Sequence, residues 1–384
     1  MTRAISEDQA ILIDAIRKFA RSELLEADRR WDADESSVYE MLPAVAEMGL
    51  MSLSTPEEYG GMECDIRTYS AIIRELAYAS PSMSVTISVH FMTTRILSHF
   101  ASEEWKKKWM ADSGSAESLM AFAISEADAG SDVSSVQTRA VKVDGGYRVT
   151  GSKMWVTNGD RARWLLILVR TDPEVRGGAG LSAMIVDGQQ SGMECDKISG
   201  KMGIRGSDTV VVHLNDVFVP DEHLLGAEGD GLKVCLGALD EGRIGIAAQA
   251  VGIGEACLDE MVEYARQRVQ FGRPIGRFQA IQNMIADCAV QLEASRLLID
   301  RAAYLVDANR KCPRASAMAK LYASEAANRI AYQAVQVHGA SGYVRDCRVE
   351  QLYRDVRVTT IYEGTSEIQR HVIARDLLNS EVEE

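Results

Sequence analysis

The hydrophobic period of this chain changes twice, and that excludes most architectures open to 384 residues. In the first third, Ala10, Ile13, Ala15, Ile16, Phe19, Ala20 and Leu24 recur at three- and four-residue steps, and similar stripes run through residues 38–48, 66–78 and 83–100. That spacing predicts amphipathic helices. Ser54 to Gly61 concentrates turn residues, and Pro81 marks a helix boundary. Near Ser118 the period falls to two. Short β-branched or alternating runs at 118–125, 139–143, 147–151, 154–157, 164–170, 181–186 and 210–219 are separated by Asp-Gly-Gly, Asn-Gly-Asp and Gly-Gly-Ala-Gly turns. This is the spacing of antiparallel strands in a small barrel or sandwich. From Gly231 long helical segments return at 231–268, 277–309, 313–339 and 367–378. Helices, then strands, then helices, with no strand–helix alternation, argue against Rossmann and TIM-barrel folds. The expected architecture is α+β and multi-domain: a helical domain over 1–117, a β-domain over 118–230 and a helical domain over 231–384.

Charge and composition narrow the function classes. Lys and Arg number 42 against 56 Asp and Glu, a net charge of −14, which disfavours binding to a phosphate backbone. No run approaches the ~18 apolar residues of a membrane span, and the polar N-terminus does not resemble a signal peptide. Seven scattered cysteines without a CxxC pair suit reduced thiols in the cytoplasm, and six histidines without ligand spacing disfavour a metal site. No phosphate loop, HExxH, GxSxG or EF-hand loop is present. Gly252 and Gly254 do not complete a dinucleotide fingerprint, and close helix packing explains them better.

Three polar, glycine-containing segments interrupt the regular pattern. Ser125-Glu126-Ala127-Asp128-Ala129-Gly130-Ser131-Asp132 leaves a strand, and its N–H groups and hydroxyls suit a phosphate or flavin edge, or form an ordinary acidic turn. Arg266 to Pro274 sets basic and amide side chains beside Phe271, fit to clamp a pyrophosphate or simply to compensate a helix dipole. In Thr359 to Arg370, Thr365 or Ser366 can cap a helix that Glu367 begins. Glu363 lies there beside apolar Ile361 and Tyr362, placed either as a partly desolvated general base or as a solvated loop residue.

Together these segments resemble one family over nearly the whole chain, the FAD-dependent acyl-CoA dehydrogenases, most closely the short-chain members. Ala123 to Asp132 fits the family's first signature at every constrained position, and Lys153-Met154-Trp155-Val156-Thr157-Asn158-Gly159 looks like its flavin-edge strand. Arg266 to Pro274 followed by Phe278-Gln279-Ala280-Ile281-Gln282 is similar to its cofactor-clamping segment, and Ile361 to Arg370 to its catalytic loop. The second signature, Gln336-Val337-His338-Gly339-Ala340-Ser341-Gly342-Tyr343, departs at Ala340, where glycine is usual, and Gln351 stands where the family has a basic residue.

The resemblance implies an N-terminal helical domain, a middle β-domain and a C-terminal four-helix bundle. It implies that Phe122, Ala123, Ile124, Ser125, Glu126, Ala127, Asp128, Ala129, Gly130, Ser131, Trp155, Val156 and Thr157 line the flavin. Arg268, Phe271 and Gln279 would serve the FAD of a neighbouring subunit in a homotetramer, a dimer of dimers. Gln336, Val337, His338, Gly339 and Ala340 would complete that site, and Thr365, Ser366 and Glu367 would contact FAD within the subunit. Ser131, Asp240, Glu241, Gly242, Arg243 and Gly364 would touch acyl-CoA, with Glu363 as the base. Some members carry the base just before the arginine of the 240–243 segment; here that position is Gly242, and Glu241 should point about 100° away on a helix. Electrons would leave to an electron-transfer flavoprotein. An acyl-CoA oxidase, expected to carry a further C-terminal domain, and a non-dehydrogenating relative, for which the acidic end Asn379 to Glu384 lacks the basic extension, are the alternatives. The acyl group stays open: the 83–96 helix carries no arginine before Arg95 to pair a distal carboxylate, and His90 either packs the core or meets a polar or aromatic acyl group.

Overall fold

The computed structural model describes residues 6–379; the N-terminal 1–5 and the acidic 380–384 lie outside the described residues. Helix α1 (Glu7–Phe19) begins with a reciprocal cap between Ser6 and Gln9, and a π-helical stretch at Ala20–Leu24 passes it into α2 (Leu25–Asp34). After α3 (Leu42–Glu47) come α4 (Ile66–Ala79), α5 (Pro81–Phe100) and α6 (Glu103–Met110). The Asp65 carboxylate accepts from the Thr68 N–H at the start of α4, and Ser80 Oγ accepts from the Met83 N–H at the start of α5. Pro81 occupies the first turn of α5, where its missing N–H costs nothing. Helix α5 is buried from Pro81 to Ser88 without a break, so small serines and threonines, not a one-sided apolar stripe, let its neighbours approach from every side.

The middle of the chain forms one eight-stranded sheet: β1 (Met120–Ala123), β2 (Arg139–Val143), β3 (Gly146–Thr157), β4 (Trp164–Arg170), β5 (Leu181–Asp187), β6 (Met193–Lys197), β7 (Thr209–Pro220) and β8 (Leu224–Leu225). Its order is β6-β7-β3-β2-β4-β5-β8, with β1 beside β4. The expectation of purely antiparallel pairing is corrected here, because β1 runs parallel to β4, and Arg139 pairs Arg170 in parallel. Alternation encodes which face is buried, not strand direction. The segments expected as two strands at 147–151 and 154–157 are the single strand β3, irregular between Val149 and Gly151 and between Lys153 and Val156. Strand β6 escaped the sequence reading because Met-Glu-Cys-Asp-Lys has no apolar run, yet it suits a sheet edge. The continuous burial of β4 has a simple cause: Leu165, Ile167 and Val169 pack against β3 and β7, while Leu166 and Leu168 pack toward α5, α6 and α7 (Gly231–Leu236).

After α7, α8 (Leu239–Gln267) runs into a two-stranded hairpin, β9 (Val269–Gln270) with β10 (Arg273–Pro274), followed by α9 (Gln279–Asp307) and α10 (Pro313–His338). The short α11 (Arg348–Val356), which the sequence pattern did not reveal, precedes α12 (Ser366–Asn379). Helices α4, α8, α9 and α10 share one apolar core. Glycines permit close helix approaches: a Cβ at Gly252 would overlap the Arg74 carbonyl of α4, and one at Gly254 would sit 2.9 Å from Leu292 of α9. Among the described residues no helix is long and apolar enough to cross a membrane, and no group of His, Cys, Asp and Glu could hold a metal.

Candidate active site

Glu363 holds a backbone that few non-glycine residues adopt, φ 51°, followed by Gly364 at φ 86°. Three buried side chains hold this loop. Gln369 of α12 donates through Nε2 to the carbonyls of Glu363 (3.0 Å) and Gly364 (2.9 Å). Lys320 of α10, fully buried, donates through Nζ to the Gly364 carbonyl at 2.7 Å. Tyr362 donates its hydroxyl to Gln249 Oε1, and Gln249 Nε2 donates in turn to the Pro81 carbonyl and Ser84 Oγ, tying the loop to α5. Backbone strain of this kind persists only where the surroundings over-determine it.

The Glu363 carboxylate is under-satisfied. Its Oε2 is buried without a hydrogen-bond partner among the described residues, and the Glu363 N–H has no acceptor there either. Burial pushes the carboxyl above its usual range, opposed by Arg243 and then Lys320. Oε2 faces Gly242 of α8, where an added Cβ would lie 3.0 Å from it and 3.0 Å from Met92 Sδ. Glu241, by contrast, turns to Arg95, whose Nε is 3.1 Å from both carboxylate oxygens. The one-residue offset thus separates the two side chains as the helical step requires. Arg243 is buried with its Nε unpartnered, while its Nη1 donates to Asp240 at 3.1 Å, and Asp240 also accepts from Ser316 Oγ at 2.7 Å. An unpaired buried carboxylate oxygen and an unpaired guanidinium N–H are costly in a finished core. The Glu363 oxygen faces Gly242 next to Arg243 near the start of α8, and together these orphaned groups describe a site for a ligand.

On the sheet side, Phe122 and Ile124 are half-buried and Ala123 fully so. Ser125 and Glu126 turn into a tight loop closed by mutual hydrogen bonds between the backbones of Glu126 and Ala129. Ala127, Asp128, Gly130 and Ser131 are exposed there, while Ala129 is buried. The Glu126 carboxylate is turned inward, accepting from Lys153 Nζ (2.7 Å), Thr138 Oγ1 (2.6 Å) and the N–H groups of Gln137 and Thr138. Burial alone would raise its pKa, but Lys153 and these donors hold it below the usual range. This side chain therefore builds the loop, and its oxygens have little left for a ligand. The irregularity between Lys153 and Val156 turns Trp155 outward at φ 62° and 60% exposure, leaving Val156 buried and Thr157 half-buried beside it.

The remaining sequence candidates divide into two groups. Arg268, Phe271 and Gln279 sit on or beside the β9–β10 hairpin, exposed, with Phe271 93% accessible and its ring edge-on to Phe278. Among the described residues no side-chain hydrogen bond or ion pair engages Arg268 or Gln279, and Phe271 touches only the neighbouring ring of Phe278. Gln336, Gly339 and Ala340 are likewise exposed, with open space around a Cβ at Gly339. Val337 and His338 are not: both are buried, and His338 donates through Nδ1 to the Ala334 carbonyl and stacks on Tyr264. Near Glu363, Thr365 Oγ1 caps the Ile368 N–H, buried Ser366 Oγ has no partner, and Glu367 is exposed.

His90 is settled by geometry. It is buried with Nε2 at 2.7 Å from the Met51 carbonyl and Nδ1 accepting from the Met120 N–H at 3.2 Å. Burial drives its pKa down to about 4, so the neutral ring ties α5 to β1 and has no free nitrogen for an acyl group. The sequence reading placed Met92 on the helix expected to face the acyl tail but gave no role to Lys320, Gln369 or Tyr69. Lys320 and Tyr69 lie in ordinary helical segments far along the chain from Glu363, and Gln369, only six residues on, carries no local sign of the bonds its amide makes to the loop.

The exposed aromatic at a bulge, the open glycine loop, the orphaned Ser366 hydroxyl and the unpartnered basic hairpin fit a large cofactor with a ring and a diphosphate. Fold and site together define an acyl-CoA dehydrogenase. Family models for the acyl-CoA dehydrogenase N-terminal, middle and C-terminal domains match residues 6–117, 121–217 and 229–378, so the chain belongs to this family of FAD-dependent oxidoreductases. It is 40% identical over 375 residues to an acyl-CoA dehydrogenase of Bacillus subtilis (strain 168), covering 97% of this chain and 99% of that one. It is 39% identical to the mitochondrial short-chain specific acyl-CoA dehydrogenase of Mus musculus, over 98% of this chain and 91% of that one. The solved butyryl-CoA dehydrogenase of Megasphaera elsdenii superposes with a TM-score of 0.96 at 34% identity, covering 99% of this chain and all of that one.

Proposed function

We propose that this chain oxidises a short acyl-CoA thioester to its trans-2-enoyl-CoA, with Glu363 as the base. One observation carries the reading: a buried Glu363 carboxylate oxygen without a partner faces Gly242, and the backbone N–H of the same residue bonds no other group among the described residues. The N–H donates to the thioester carbonyl and stabilises the charge that develops there. Glu363 Oε2 then takes the α-proton, and the raised pKa makes the carboxylate a stronger base than a solvated glutamate. FAD, when bound, supplies the acceptor for the β-hydride. Lys320 and Gln369 keep the loop in its strained conformation, so the donor and base stay aligned without reorganising.

In this reading the 122–131 loop, Trp155, Val156 and Thr157 hold the flavin, with Val156 and Glu126 acting through backbone and loop shape. Thr365, Ser366 and Glu367 contact FAD within the subunit. Ser131, Asp240, Gly242, Arg243 and Gly364 flank the acyl-CoA. Arg268, Phe271 and Gln279, together with the backbone of 336–340, serve a neighbour's FAD in a homotetramer, which accounts for a 93% exposed phenylalanine on a basic hairpin. Electrons pass to an electron-transfer flavoprotein in the cytoplasm, where seven unpaired cysteines are stable. The test is anaerobic titration of the FAD-loaded protein with butyryl-CoA. Bleaching of the band near ~450 nm is expected, because substrate reduces a bound flavin. A flavin that stays oxidised with straight-chain, branched and aromatic acyl-CoAs alike refutes the reading.

A further inference from the structure

One helical turn beyond Gly242 on α8, Gly245 admits a second close approach from a neighbouring helix. A Cβ there would overlap the Tyr69 hydroxyl and lie 3.0 Å from Ser88 Oγ. Tyr69 comes from α4 and is fully buried. Its ring stacks on Phe91 at a centroid distance of 3.7 Å and an interplanar angle of 11°, and its hydroxyl bonds Ser88 Oγ at 2.7 Å. Along this face of α8, the Glu363 carboxylate and Met92 at Gly242 are thus followed, one turn on, by a tyrosine held from three helices. Nothing in the proton transfer uses this tyrosine, and the α4–α8 contact does not need a hydroxyl aimed at a glycine.

We propose that Tyr69 is the end wall of the acyl cavity and restricts this enzyme to acyl groups of roughly four carbons; the inference rests on Glu363 being the base that takes the α-proton. An acyl tail running along α8 from Glu363 advances about 4.5 Å in the three residues to Gly245. At bond lengths of about 1.5 Å in a zigzag chain, and allowing for contact with the hydroxyl, that leaves room for roughly two carbons beyond the α-carbon. The wall is stiff, because the ring is stacked on Phe91 and its hydroxyl bonded to Ser88. A longer tail must break the Tyr69–Ser88 hydrogen bond and bury both hydroxyls against methylenes.

The test compares kcat/KM for butyryl-, hexanoyl- and octanoyl-CoA in the FAD-loaded native enzyme and in Tyr69→Phe, Tyr69→Leu and Tyr69→Ala. The native enzyme and Tyr69→Phe, which keeps the ring, should favour butyryl-CoA over hexanoyl-CoA. In Tyr69→Ala the hexanoyl-to-butyryl ratio should rise about tenfold or more, since each methylene newly buried is worth about fourfold (about 0.8 kcal/mol). Tyr69→Leu fills more of the cleared volume but ends short of the hydroxyl, so it keeps the test open if the alanine variant loses its fold, and its ratio should rise as well. A native preference for octanoyl-CoA overturns the end wall. So does an unchanged ratio in whichever of the leucine and alanine variants retains FAD, while native oxidation of butyryl-CoA leaves the assignment of Glu363 standing. Failure of the native enzyme to oxidise any acyl-CoA overturns both.

Discussion

Replacing Lys320 with methionine should make the protein more stable and a poorer catalyst. The ammonium is fully buried under the catalytic loop, and burial pulls its pKa from 10.5 to about 8, with Glu363 the main opposing influence. The unfolded lysine keeps its proton up to about 10.5, whereas the folded one releases it near 8. Folding at pH 7 is therefore opposed by that gap, about 3 kcal/mol at 1.36 kcal/mol per pH unit, and the penalty fades as pH rises from 8 to 10.5. Methionine has similar length and no charge. It forfeits the bond to the Gly364 carbonyl, but Gln369 still donates to that oxygen at 2.9 Å, so the carbonyl is not orphaned. The expected net gain at pH 7 is about 1–3 kcal/mol, less than the full penalty because one hydrogen bond is lost. Catalysis should suffer, because Glu363 loses one of the two cations that restrain its pKa. The acid limb of kcat/KM should then move upward by about one pH unit, the usual scale for a neighbouring opposite charge. Denaturation midpoints of both proteins between pH 7 and 10.5, with FAD bound, measure the first effect, and pH–rate profiles the second. A variant destabilised equally at every pH, with an unmoved acid limb, would refute the buried-cation reasoning.

The other expectations follow from the same geometry. Glu363→Gln should retain FAD and lower turnover by several orders of magnitude, since the proton acceptor is lost while the loop's carbonyl clamps remain; full activity in stopped-flow flavin reduction would show the base is misassigned. Arg268→Ala should leave subunit stability within about 0.5 kcal/mol, because exposed substitutions without partners change little. It should instead lower FAD retention on dialysis, and unchanged occupancy would remove this residue from the cofactor site. Gln351→Lys should stabilise the protein at pH 7.5 but not at pH 4.5. Gln351 and Ser80 donate to buried Asp28, whose pKa burial raises to about 6, and buried Asp355 beside it has an orphaned Oδ2. A carboxyl with a raised folded pKa favours folding below its unfolded value of 3.8 and loses that contribution as pH rises through 6, so a cation helps only above that window. Melting curves at the two pH values check it, and equal shifts at both would contradict it.

Much was legible because the chain's periods are local properties. The three- and four-residue stripe of 66–78 became α4 and the alternating run at 139–143 coincides with β2, since a half-buried surface repeats at the helix or strand period wherever it occurs, while 83–100 and 164–170, buried on nearly every side, were legible as α5 and β4 from length and residue type. The motifs were readable too: a catalytic loop must place a carboxylate, a glycine and a helix cap in sequence, and Glu363, Gly364 and Thr365 do so within three residues. Sequence also separated Glu241 from Gly242, because a one-residue offset on a helix is a fixed rotation.

Pairing across distance was not legible. Parallel strands β1 and β4 leave the same alternating pattern as antiparallel ones, and β6 buries too little to leave one at all. Lys320 and Glu363 are 43 positions apart on different elements, so the sequence alone could not say that one restrains the other. Glu126 carried the pattern of a ligand-facing loop, yet packing against Lys153 turned its carboxylate inward. His90 carried the chemistry of a substrate contact, yet two backbone groups from Met51 and Met120 consumed both of its nitrogens. Composition and spacing thus determine which elements form and which residue types are at hand. Which of those residues remain unsatisfied, and therefore free to do chemistry, depends on hydrogen-bond partners supplied from elsewhere in the chain, and only the tertiary structure brings those partners together.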